Sequence, residues 1–402
     1  MKLPAAITAS LLAGALVLTG CSVSDTTDTS GTSDTTVTEA NDAVATDSAT
    51  DSTTSETTAT VASEDDVDWD GLPTTDVTLT DEGLTITEAG TYVLSGESSG
   101  QVVVDTDGAV RLVLDGVDIA SADGAAIQVD SADLTVIELA DGSTNTVTDA
   151  STRADEEIDG AIYSADDLVI TGDGSLDVTA IFADGIVGKD DLTVESGNVS
   201  VTSVDDGIRG KDTLTITGGT VTVDATGDGL KASNSTDLGE GVLTIAGGDV
   251  TVSSGDDAVK AEQQVSITGG TLDIVESVEG IEAPVIVIDD GTITLNASDD
   301  GINAATSDII TSGLSITING GTLEITMGSG DTDAIDSNGD LTITGGTLTI
   351  TAQSAFDYDG SGTLSGATVT VNGEAVTEMT NQMMGGDMGG EGGGMGGGPG
   401  RR

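Results

Sequence analysis

The chain has 402 residues, with 71 acidic side chains against ten basic ones, no histidine, one cysteine and a formal charge of −61. Nucleic acid is thereby excluded as a partner, because phosphate binding needs the opposite sign, and so are a His base and the usual His-containing zinc sites. Aromatic residues make up only 1% of the chain, so no aromatic platform for neutral sugars is visible, and charge and metal ions would have to carry any recognition of polysaccharide.

The N-terminus reads as an export signal: Lys2, an apolar run from about Ala5 to Val17, then Leu18-Thr19-Gly20-Cys21, which fits a bacterial lipobox. The run is too short for a membrane span and ends in small residues, as a cleavable signal does. Cys21 has no cysteine partner and is read as the lipidated residue. The lipid would hold the protein on the extracellular face of the bacterial membrane as its only membrane contact. Residues 1–20 are then the signal peptide. Residues 21–68, rich in Thr, Ser and Asp, form a linker with too little apolar surface to offset its ordering entropy. At the other end, 379–402 is a Gly/Met-rich tail expected to be flexible.

Between them the chain repeats. Leu192-Thr-Val194, Leu214-Thr-Ile216, Leu243-Thr-Ile245, Val265-Ser-Ile267, Val287-Ile-Asp289, Leu314-Ser-Ile316 and Leu341-Thr-Ile343 recur, several at steps of 22 residues. A Gly-Gly-Thr corner and a second alternating pair follow, as in Gly218-Gly219-Thr220-Val221-Thr222-Val223, and then a third short strand after an acidic turn, as in Asp205-Asp206-Gly207-Ile208. Alternation of Val, Leu and Ile with Thr marks strands with one buried face. Three such strands per unit cannot bury that face alone, but stacked units can. The fold expected is all-β: a right-handed single-stranded parallel β-helix of about 22 residues and three short strands per coil. Residues 69–150 supply the cap and first coils, with looser spacing, and 151–378 the regular coils. The insertions 233–241 and 304–313 fall at one point of the coil and should emerge on one face.

One acid recurs five positions after the second inward residue of the Thr-rich strand: Asp206, Asp228, Asp257, Glu279 and Asp300. Asp205, Asp256 and Asp299 precede three of these. Stacking places such carboxylates about 4.8 Å apart, where like charges repel by roughly 3 kcal/mol per pair at an effective dielectric of 20. Calcium, with six to eight oxygen ligands in flexible geometry, would relieve this. An Asp-Gly corner that bonds local backbone is the other reading. Three residues beyond the acid stand Arg209, Lys231 and Lys260, with Lys211 nearby. They form either a recognition stripe for carboxylated sugar or counter-charge for the acids.

The segments Asp205-Asp-Gly-Ile-Arg-Gly-Lys-Asp212 and Gly227-Asp-Gly-Leu-Lys-Ala232, the repeated Leu-Thr-Ile-Thr-Gly-Gly-Thr, Glu88-Ala-Gly-Thr-Tyr-Val-Leu-Ser-Gly96 and the Gly/Met tail carry a family likeness. Over about 69–400 the chain resembles the calcium-binding β-helix proteins of polysaccharide-degrading clostridia and their relatives, described as carbohydrate-binding domain-containing proteins. The resemblance implies binding of acidic polysaccharide such as polygalacturonate, or of cellulose, with calcium as cofactor, on a fold similar to that of family 9 pectate lyases. That similarity keeps a rival open, a calcium-dependent lyase with Lys231 or Lys260 as base. A dense acidic field raises a lysine pKa, which favours binding over catalysis. A purely structural surface stalk or adhesin is the third reading.

Overall fold

The computed structural model of the protein describes residues 63–381, apart from 330–331. The chain divides into two units, Met1–Ser55 and Glu56–Arg402, and every described residue belongs to the second. The export signal, Cys21, most of the linker and nearly all of the Gly/Met tail lie outside the described residues.

Strands follow one another almost without interruption, and among the described residues there is no α-helix, only two three-residue 3-10 turns, Glu64–Asp66 and Trp69–Gly71. Nearly all pairings are parallel and join a strand to its equivalent one unit further on, so the strands stack into three ladders, a β-helix-like arrangement. The first ladder runs from Thr135–Leu139 to Gly362–Leu364 and the second from Thr144–Thr148 to Thr368–Val371. The long strand Val110–Ala120 pairs with the first strand of both and fuses them into one 24-stranded sheet. A third ladder of 12 strands runs from Leu84–Ile86 to Asp357–Tyr358.

The repeated apolar residues are the reason for this stacking. Leu192, Leu214, Leu243, Val265, Ile286, Ile316 and Leu341 pair in succession, and each is fully buried. A side chain of this size contributes roughly 1.5–3 kcal/mol on burial, and only a neighbouring unit can cover it. The Thr residues between them lie on the other face of the sheet, where Thr193 and Thr215 are nonetheless buried. Corners use glycine for two different reasons. In Gly218-Gly219 the second residue adopts φ +81, whereas a Cβ on the first would meet the carbonyl oxygen of Glu195 at 2.5 Å.

The register departs from the expected one at two units. Val265 pairs with Ile286 rather than Val287, because the corner between Glu282 and Val285 is one residue shorter than its predecessor. Ile316, not Leu314, continues the inward column, and Leu314 is buried at the preceding corner. Spacing between neighbouring rungs also varies: 22 residues from Asp184 to Asp206 and from Asp206 to Asp228, but 29 from Asp228 to Asp257 and 33 from Asp300 to Asp333. Both longer insertions leave the third ladder and return to the first, one after Leu230–Ala232 and the other after Ile302–Ala304.

Described residues ahead of the expected linker boundary at 68 also pack on the strands. Val67 and Trp69 pack on Ala109, Leu134, Val136 and Val169, a small cluster on the outside of the first ladder. Ser63 Oγ donates to Glu195 Oε1 at 2.9 Å. Residues 63–71 therefore form a strap across the flank of the early coils.

Candidate functional site

The third ladder carries two parallel columns of polar side chains. The first is the acid column. The backbone N–H of Asp206 donates to Asp184 Oδ1 (3.1 Å), that of Asp228 to Asp206 Oδ1 (2.9 Å), that of Asp257 to Asp228 Oδ1 (3.1 Å), and that of Asp333 to Asp300 Oδ1 (2.9 Å). Each such carboxylate thus bonds the backbone of the next rung rather than its own corner. Asp184 and Asp333 belong to the column although the counting from the Thr-rich strand did not include them. Asp184, Asp206, Asp228 and Asp257 are buried, whereas Asp205, Asp256 and Asp299 are exposed. Asp256 still reaches a common point with Asp228 and Asp257, with ligand oxygens within 4.8 Å of one another.

The second, counter-column lies three residues on. Its pairings run Arg209, Lys231, Lys260, Glu282, Asn303, Asp336, Asp357. In the early rungs it neutralises the acid column. Arg209 contacts Asp159 Oδ2 at 2.5 Å and Asp184 Oδ2 at 2.6 Å, with Asp206 Oδ2 at 3.8 Å. Lys231 Nζ bridges Asp206 Oδ2 (2.9 Å) and Asp228 Oδ2 (2.8 Å). Lys260 Nζ bridges Asp257 Oδ2 (2.6 Å) and Glu282 Oε1 (2.9 Å). A recognition stripe of free cations is therefore not what the structure presents. The guanidinium of Arg209 is already held by carboxylates, because buried acids left without a cation would be costly. Lys211 stands apart, half-exposed and paired with Asp212.

This pairing bears on basicity. Burial alone would lower Lys231 and Lys260, but the Asp228 and Asp206 carboxylates around the first, and Asp257 and Glu282 around the second, override it and hold both above the ordinary lysine value. Neither is a base near neutral pH.

From Glu282 onward the cations stop and the acids do not. Burial and a hydrogen bond with Glu282 push Glu279 up to about 9, while Glu282, in spite of burial, is held low by that bond and by Lys260. One proton is thus shared between them. Asn303 Nδ2 donates to Glu279 Oε2 (3.0 Å) and Glu282 Oε2 (3.4 Å). Burial, then Asp300, Asp357, Asp333 and Asp359, push Asp336 up to about 7. Asp257, Glu279 and Glu282 bring ligand oxygens within 4.8 Å of one another. The buried Oδ1 atoms of Asn303 and Asp357 have no hydrogen-bond partner. Beside these rungs the insertion 304–313 overhangs a cleft of about 340 Å³ lined by Lys260, Glu262, Glu282, Thr306, Ser307 and Asp308.

A buried ion pair that sequence reading missed holds the loop above Arg209. Arg153 contacts Asp149 Oδ2 at 2.6 Å, with both side chains almost wholly buried. It also donates to the carbonyls of Ala150, Ile158 and Gly160 and lies 4.6 Å from the Phe182 ring. It shapes the segment that carries Asp159 to Arg209.

Comparison with known proteins bears on this arrangement. No curated protein matches the chain. Among solved structures, a polysaccharide lyase-like protein from C. thermocellum, determined as a gadolinium derivative, is similar at 31% identity and a TM-score of 0.46, over 49% of this chain and 93% of that one. A family model matches over 80–314 and 276–383, which is most of the chain and includes both polar columns. The protein belongs to the family of carbohydrate-binding domain-containing proteins.

Proposed function

We propose that the protein binds acidic polysaccharide without cleaving it, and that calcium held by the later rungs joins protein carboxylates to those of the sugar. The observation that carries this reading is the change of the counter-column from Arg209, Lys231 and Lys260 to Glu282, Asn303, Asp336 and Asp357, while the acid column continues beside it. Where lysine is missing, a shared proton relieves part of the repulsion, as between Glu279 and Glu282, and a metal ion can relieve the rest. Carboxylates and an amide oxygen are the hard donors calcium prefers, and the orphaned Oδ1 atoms of Asn303 and Asp357 are oxygens a cation would satisfy. Asp257, Glu279 and Glu282, whose oxygens converge, would hold one ion and Asp300, Asp333, Asp336 and Asp357 further ions. Asp228, Asp256 and Asp257 form a third candidate group, with Lys231 and Lys260 already serving part of it. An ion with open coordination positions then attracts uronate carboxylate to a surface that would otherwise repel it. The hydroxyls of Thr306 and Ser307 line the adjoining cleft.

The raised lysines argue against a lyase. We take the winding to be right-handed, as crossovers between parallel strands nearly always are, with about 22 residues in a coil free of insertions. Lipidation at Cys21 would present the rod outside the cell membrane.

The deciding experiment incubates the full chain with polygalacturonate, with calcium and then with excess chelator. Retention with calcium, its loss on chelation and a flat absorbance from unsaturated product are expected. Retention that ignores the chelator would overturn the calcium bridge. A sustained rise in product absorbance, lost in Lys260→Ala, would make the protein a lyase.

A further inference from the structure

The strap of residues 63–71 precedes the part of the chain that the family model covers, which begins at residue 80, and that match assigns it no role. It starts beside the strand Asp191–Val194, where Ser63 Oγ donates to Glu195. It ends at Pro73, whose carbonyl accepts the Thr91 N–H at 2.9 Å. Thr91, Arg111, Val136, Val169 and Thr193 pair in succession along the first ladder. The strap therefore runs backward over the coils, against their order, before the chain turns through Gly71-Leu72-Pro73 into the first strand, Thr74–Thr78.

Its hold on the ladder is made by side chains. Val67 and Trp69 pack on Ala109, Leu134, Val136 and Val169. The Arg111 guanidinium lies 4.4 Å from the centre of the Trp69 ring, and Glu64 stands 3.7 Å from Arg111. The backbone of the strap bonds to itself: the N–H groups of Trp69, Gly71 and Leu72 donate to the carbonyls of Val67, Asp68 and Trp69, and the indole Nε1 donates to the Glu64 carbonyl at 2.9 Å. Lifting the strap would leave these bonds, and the strand pairings beneath it, whole.

Two features oppose the hold. Glu64, Asp65, Asp66, Asp68 and Asp70 bring five negative charges to a flank where Glu138 and Glu195 already stand with Arg111 as their cation, and like charges repel. Arg111 Nε is also buried beside the strap without a hydrogen-bond partner, a cost that water would relieve on release.

We propose that the strap is a releasable latch: a pull on the chain ahead of Ser63 peels it from Glu195 toward Pro73 while the rod stays folded. Release frees residues 63–71, about 30 Å when fully extended, and uncovers the Val136 and Val169 strip. A pull from the N-terminal side enters the rod through the strap, whose contacts follow one another along the chain and are loaded in turn. The parallel ladders, by contrast, share a load over many bonds at once. The latch is independent of what the rod binds.

Trp69, the single tryptophan, is the reporter. The full chain is followed in urea by indole emission and by far-ultraviolet circular dichroism. Two transitions are expected: a red shift of the indole at low urea with the strand signal unchanged, then loss of the strands at higher urea. Val67→Ala should favour the released form about tenfold without moving the second transition. In an optical trap, with handles on Cys21 and on a C-terminal tag, a contour-length step of no more than about 30 Å should precede unfolding of the coils. Coincident transitions, or a Val67→Ala variant that lowers both alike, would make the strap an integral part of the first coils and overturn the proposal, as would a trap record without the early step.

Discussion

Asp206 and Asp228 are bound to each other twice: the Asp228 N–H donates to Asp206 Oδ1 at 2.9 Å, and Lys231 Nζ joins their Oδ2 atoms at 2.9 and 2.8 Å. One oxygen of each carboxylate serves the axial backbone bond and the other serves a cation. Repulsion between stacked acids is thus removed without solvent, and the cation requirement can be tested rung by rung.

Lys231→Gln should leave Asp206 and Asp228 facing each other with no neutralising charge. We expect a lower melting temperature than wild type in chelator and a larger recovery on adding calcium, since an ion that binds only the folded state stabilises it by mass action. Differential scanning calorimetry with and without calcium checks both. Equal calcium response in variant and wild type would show that the lysine place cannot take an ion.

Wild-type protein should itself respond to calcium through the later rungs. Asp336→Asn combined with Asp357→Asn should raise the melting temperature in chelator, by removing like charges, and abolish most of the calcium-dependent rise. The measurement is a thermal scan against calcium concentration at low ionic strength, where screening is weakest.

The pH dependence of metal-free protein has a definite sign. Burial pushes Asp184 up to about 6 against the pull of Arg209, Asp336 to about 7 together with its acidic neighbours, and Glu279 to about 9 together with its hydrogen bond to Glu282. A carboxyl whose folded pKa lies above its unfolded value binds more protons when folded, so stability falls as pH rises from the unfolded value through the folded one. In chelator the melting temperature should therefore decline from about pH 4.5 to about pH 9. Calcium should flatten the decline, and a melting series across that range decides it.

Arg153→Ala tests the pinned loop. It leaves the buried Asp149 carboxylate without its cation, at a cost of about 3–5 kcal/mol, to be read from urea unfolding. Arg153→Lys should recover only part, since one ammonium cannot reach Asp149 and the carbonyls of Ala150, Ile158 and Gly160 together.

Much of this was legible in the sequence because identical side chains recur at identical stations. Leu192, Leu214 and Leu243 could be aligned by eye, and they do pair. The register slipped at Val287 and Leu314 because corners differ in length by one or two residues, a change that leaves local alternation intact. Asp206, Asp228 and Asp257 were found by counting, but the continuation of the lysine column as Glu282, Asn303, Asp336 and Asp357 was not. The station persists there while the residue type changes, and only pairing reveals it. Trp69 with Arg111 and Arg153 with Asp149 lie in the loosely spaced early region, where no period links one partner to the other.

The placement of acid and cation three residues apart, as in Asp228 and Lys231, also bears on how such a rod can lengthen. A duplicated segment carrying Asp-Gly-Leu-Lys brings its own counter-ion, so an added coil slots into the early rungs without altering the ionic needs of the rest. Copies of the later segments would each add unmatched carboxylates. Growth by tandem duplication is therefore self-neutralising among the early coils, whereas each coil added among the later ones needs counter-charge from outside the chain.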